Sequence, residues 1–206
     1  MLHPQPQLVN AKLNSLHPTQ ITVGKREVAL KRKQWAKLGK RSRIAALTSH
    51  WFPAIRGPES EYYVVDHHHF GLALLEEEVK TVNVMLLKDL SWLDSSKFWG
   101  VMDHHQWVHP YDSDGVRRDF HAVPFHLMHL HDDPYRSLAG ELRRAGGFAK
   151  DVTPFSEFLW ADFFRNKIHI SLIEQDFSKA LAKAKKIART QDARYLPGWC
   201  GVIEAT

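Results

Sequence analysis

The chain has 206 residues, an apolar share of 44% and a formal charge of +5, with 14 histidines and one cysteine. That is enough for one domain with a sizeable core, or for a domain with a small helical extension. The lone Cys200 excludes an intrachain disulfide and fits a reducing cytoplasm; no apolar run reaches the ~20 residues of a membrane helix; and residues 1–7 lack the basic and apolar regions of a secretory signal.

In chain order, Leu8 to Leu13 alternates loosely and predicts a first strand. His17-Pro18 breaks it, because proline forces an extended entry. Lys25 to Leu38 reads as a helix, with Val28, Ala29, Trp35, Ala36 and Leu38 set among basic residues, and Gly39 stops it. A second helix is expected over Ser42 to Ser49, then a loop from Phe52 to Glu59. Lys25, Arg26, Lys31, Arg32, Lys33, Lys37, Lys40, Arg41 and Arg43 make the densest charge cluster. It is either a solvated helix face or a surface for phosphate or nucleic acid.

Tyr62-Tyr63-Val64-Val65 are four apolar β-formers in a row and predict a strand covered on both faces. Asp66 follows at an expected N-cap position, where its carboxylate accepts from backbone N–H groups. His67, His68 and His69 then occupy the first turn of a helix that continues from Phe70 to about Glu78. The positive end of the helix dipole and its N–H donors suit an anion such as phosphate. The three imidazoles stand about 100° apart around the axis, so they cannot all serve one ligand. His68 is expected to face solvent in this turn.

Thr81 to Leu87 predicts another strand, and Asp94 or Ser95 caps a helix over Lys97 to Trp107. Val108 to Pro124 is loop-like, with a turn signal at Asp112-Ser113-Asp114-Gly115. His104, His105, His126 and His129 are candidates for a shared metal, or are surface and core histidines; His126 and His129, at i and i+3, share a ligand only if helical. Pro134 to Ala145, Pro154 to Ile168 and Ser178 to Thr190 read as helices. Phe155, Phe158, Leu159 and Phe163 fall at helical spacing and are expected in a core.

Two stretches resemble the ParB-like nucleases, an outlying branch of the ParB/sulfiredoxin superfamily. One is Leu16-His17-Pro18-Thr19-Gln20-Ile21-Thr22-Val23-Gly24, similar to the proline–Gln stretch near the start of ParB domains. The other is Val64-Val65-Asp66-His67-His68-His69-Phe70, which resembles the strand–D-G-H-H-R–helix signature. His67 falls on its Gly, His68 and His69 on its histidines, and Phe70 on its Arg. Pro154 to Arg165 also resembles this branch. The resemblance implies nucleotide or phosphate binding at the helix start, with ATP or CTP as the nucleotide; apart from the resemblance, Mg or Mn is the candidate metal. The resemblance also implies a fold of α/β (α+β) class, a small mixed sheet of ParB/sulfiredoxin type with surrounding helices over residues 1–124. A helical extension, 125–206, packs on that core. Phe70 replaces the phosphate-neutralising arginine, so another cation is needed, Arg56 or one from the 25–43 cluster. His68 stands where sulfiredoxins carry their reactive cysteine, which removes that reaction.

The expected function is therefore phosphate-centred: phosphodiester hydrolysis or nucleotide-dependent phosphoryl transfer. Asp66 caps the helix or acts as base, while His68 and His69 bind phosphate or donate a proton. His67, Lys25, Arg26 and Arg56 contribute to ligand binding. Partners are a nucleotide or nucleic acid and not a membrane. Two rivals differ in class. Val64-Val65-Asp66-His67-His68 also resembles the D-H-H strand end of metal-dependent DHH phosphoesterases, though their acidic loop precedes that motif and Asp112-Ser113-Asp114-Gly115 follows it. A non-catalytic nucleotide- or DNA-binding module is the other.

Overall fold

The computed structural model describes residues 7–202; residues 1–6, most of the stretch read against a secretory signal, lie outside them. In order the elements are β1 (Gln7–Lys12), β2 (Leu16–His17), β3 (Thr22–Val23), α1 (Lys25–Ala36), α2 (Lys40–Ser49), β4 (Trp51–Arg56), β5 (Tyr62–Val64), α3 (His68–Glu76), β6 (Thr81–Asp89), α4 (Ser95–His104), β7 (His131–Asp132), α5 (Pro134–Arg144), α6 (Ser156–Arg165), α7 (Ile170–Gln175) and α8 (Phe177–Ile187). The class is mixed α and β, as the sequence predicts. A five-stranded sheet runs β1-β6-β4-β5-β2, and β3 and β7 form a separate two-stranded one. The sheet is mixed: β4 lies parallel to β6 and antiparallel to β5, and β2 lies parallel to β5.

The chain divides into two units. The first takes the chain up to Thr22, Val28–Asp112 and Arg117–His131; the second takes Val23–Glu27, Ser113–Val116 and the chain from Asp132.

In the first unit, β4 replaces the loop expected over Phe52 to Glu59. Proline argues against an inner strand because it cannot donate to the ladder. Pro53, however, lies beyond the last β4–β5 rung, Ala54↔Val64, and serves as an acceptor, its carbonyl taking the Val65 N–H at 2.9 Å. Phe52, Ala54 and Ile55 are fully buried. At about 1.5–3 kcal/mol for each large apolar side chain, that burial outweighs one missing donor. Successive β5 side chains point to opposite faces. Tyr63 packs with Ile55, Phe98 and Met102, while Val64 is fully buried. The helix α3 buries Leu72, Ala73 and Leu74. Gly71 lets it approach closely, since a Cβ there would meet Leu127 and Phe52 at 3.2 Å.

The second unit is built on α5, α6 and α8, with Leu138, Leu142, Trp160, Phe164, Ala180 and Ala184 in its core. Of the core positions expected in α6, Phe158 and Phe163 are buried, joined by Trp160 and Phe164, whereas Leu159 is 42% exposed and Phe155 is half-buried at the N-cap. The buried Arg136 lies 2.7 Å from Glu157, which also takes Arg143 at 2.8 Å.

Candidate functional site

The turn between β5 and α3 differs in detail from its sequence reading. Asp66 is not the N-cap. His67 is, in the left-handed region at φ 66°, ψ 20°, and α3 starts at His68 rather than at His67. The Asp66 carboxylate instead accepts the His67 N–H at 2.6 Å, and the His67 carbonyl accepts the Gly71 N–H at 2.8 Å. Left-handed backbone costs a residue with a Cβ about 1–2 kcal/mol relative to its ordinary conformations. Glycine is exempt. The position that demands this conformation is the one where the D-G-H-H-R pattern carries glycine.

His68 does not face solvent. It is 4% exposed, and its Nε2 accepts the Thr19 backbone N–H at 3.1 Å. The Thr19 hydroxyl donates to the Val64 carbonyl at 2.8 Å and lies 3.5 Å from the same Nε2. The imidazole is therefore neutral with its proton on Nδ1, because an acceptor nitrogen cannot carry one. Side chains at successive helical positions diverge by about 100°; here that divergence sends His68 inward and leaves His67 and His69 half-buried.

A second imidazole, unread in the sequence, joins the turn. His50, between α2 and β4, stacks obliquely against His67 with ring centroids 4.4 Å apart, and lies 4.7 Å from the Phe70 ring. Its Nε2 is buried without a hydrogen-bond partner. Burial, then His67, then Lys31 hold His50 below the ordinary histidine range, and Asp66 pulls weakly the other way. Lys31 extends from α1 to within 6.0 Å of the Phe70 ring centroid. Phe70 also stacks flat on Phe52 at 6.0 Å and meets Trp35 edge-on at 6.4 Å. Where the D-G-H-H-R pattern has arginine, position 70 thus carries an aromatic ring with a lysine beside it.

The remaining candidates lie elsewhere. Arg56, at the far end of β4 from His50, faces Asp89 at 3.5 Å. Lys25 and Arg26 belong to the second unit, where the Lys25 N–H donates to Asp132 and the Arg26 guanidinium covers the Phe177 ring at 3.8 Å. His104 and His105 stand 5.5 Å apart by ring centroid and His126 and His129 5.7 Å apart, the latter pair on a short 3-10 turn. Among the described residues no three His, Cys, Asp or Glu side chains gather as metal ligands. Asp103 and Asp112 are each engaged by an arginine, Arg117 and Arg118.

Residues 9–166 match the family model described as "Putative ParB-like nuclease". The solved structure of protein Atu1540 from Agrobacterium tumefaciens is similar to this chain at 46% identity and a TM-score of 0.90, covering 96% of this chain and 100% of that one. No curated protein matches.

Proposed function

The chain belongs to the ParB-like nuclease family, and from that premise we infer that it binds the phosphate of a nucleotide or of nucleic acid at the start of α3. The observation that carries this reading is the gathering of Lys31, His50 and His67 about the positive end of the helix. Lys31 supplies positive charge there, and a bound anion would favour protonation of His50, whose charged form burial, His67 and Lys31 oppose. Helix N-termini are ready sites for such an anion.

Phosphodiester hydrolysis or phosphoryl transfer at this site would use the half-buried imidazoles, His67, His69 and His50, for proton movement. His68, inaccessible and committed to Thr19, holds the turn in place. Asp66 restrains the His67 amide. Titration of the protein with ATP, CTP and inorganic phosphate, followed by NMR of the amides of 66–71 and the imidazoles of His50 and His67, tests the reading. Binding should shift both imidazoles and weaken in Lys31→Ala and His50→Ala. Unmoved signals with all three ligands would overturn it.

A further inference from the structure

The helix α2 has no buried residue along its ten positions. Its half-exposed positions, Arg43, Ala46 and Leu47, turn toward the unit; Arg43 sits 5.4 Å over the Trp35 ring. The opposite stripe is exposed and consists of Lys40, Arg41, Ile44, Ala45 and Thr48. With 100° per residue, those five lie within about 140° of arc, one face of the helix. Ile44, 57% exposed, sits at its middle.

The charge around this stripe is one-sided. No Asp or Glu stands between Glu27 and Glu59. Arg32 is neutralised by Glu76 and Glu77 at 2.9 Å. Lys33 and Lys37 near the end of α1, and Lys40 and Arg41 at the start of α2, are exposed. Only Lys37, Leu38 and Gly39 separate the two helices, so the four cations crowd around one turn. Such a surface complements a phosphate backbone. The stripe beyond them carries methyl groups and one hydroxyl with no long polar side chain, which suits contact with base edges and thymine methyls in a groove wide enough for a helix.

The geometry points to α2 as a docking face for duplex nucleic acid. The helix lies along the major groove, and Lys33, Lys37, Lys40 and Arg41 meet the backbone beside it. The helix follows α1 after three residues, and its exposed face is the one offered to the groove. The surface is distinct from the α3 site and stands or falls separately from it.

Fluorescence anisotropy with a labelled duplex DNA, and with one of its strands alone, tests this. The duplex should bind more tightly than the single strand. Lys40→Ala/Arg41→Ala should weaken duplex binding about tenfold and lower the slope of log affinity against log salt by about 2, near 0.9 per lost phosphate contact. Ile44→Glu should weaken it further with unchanged far-UV circular dichroism, since the side chain is exposed. Lys183→Ala/Lys186→Ala, on the exposed face of α8, should leave binding unchanged. Absence of duplex binding, preference for the single strand, equal losses from the α8 pair, or equal binding of polyglutamate would each overturn the proposal. ATP and phosphate binding, measured on the same Lys40/Arg41 variant, should be unaltered.

Discussion

Nε2 of His68 takes the backbone N–H of Thr19 at 3.1 Å, across 49 residues of chain. The bond ties the segment after β2 to the first residue of α3, with both groups buried. His68→Ala should therefore behave as a stability variant. It strands a buried N–H, at a cost of about 1–3 kcal/mol. Urea denaturation should show that loss, and a variant as stable as the parent would refute the positioning role.

The left-handed N-cap makes a second expectation. His67→Gly relieves the backbone cost and adds chain entropy to the unfolded state, so the two effects largely offset, leaving a net change within about 1 kcal/mol. His67→Val has no such compensation, because a β-branched residue is a true outlier in that region. The valine variant should melt well below the glycine variant, and equal melting temperatures would contradict the backbone assignment.

His50 links the site to pH. Its proton affinity is lower folded than unfolded, chiefly through burial. Below about pH 6.5 the unfolded chain binds the proton that the folded one resists, so stability falls with falling pH and is fully present above that value. His50→Phe should flatten this part of the stability profile. A bound phosphate reverses the local field and draws a proton onto His50, so phosphate affinity should rise as pH drops from 7 toward 5.5. Calorimetry in buffers of different ionisation heat would register the proton uptake, and its absence would separate His50 from the ligand.

In the second unit, Glu157 is the shared acceptor of Arg136 and Arg143. Burial pulls its carboxyl up, but the two guanidinium groups outweigh that and hold it below the ordinary range. Its stabilising effect is thus present at neutral pH and lost as pH falls through the lowered folded value. Glu157→Gln leaves Arg136 charged and buried, which should cost about 3 kcal/mol or more. Thermal unfolding at pH 7 checks this; a shift of less than a degree would show that the pair contributes little.

Most elements were legible because their signals are local. The periodicity of α1, α5 and α6 and the apolar runs of β5 and β6 need only neighbouring residues. At β4, Pro53 masked a strand whose evidence lies in the partners on either side. The six residues of α7 were too few to show a period. Asp66 looks like the better cap, and nothing near it announces that His67 takes the left-handed turn, although histidine is among the residues that tolerate it best. The site divides the same way. The turn itself was visible, but His50 enters it from 17 positions earlier, beside a strand read as a loop. The inward direction of His68 depends on Thr19, a partner only the fold supplies.

The strand order carries a consequence for synthesis. The first strand, β1, has one neighbour, β6, and their paired residues Asn10 and Asn83 lie 73 positions apart. During translation β1 leaves the ribosome first and its partner follows about 4–15 s later, at 5–20 residues per second. Through that interval an unpaired strand bearing Leu8 and Val9 is open to neighbouring nascent chains. Slowing elongation between β1 and β6 would lengthen the exposure and should lower the soluble yield, whereas slowing it after Asp89 should not.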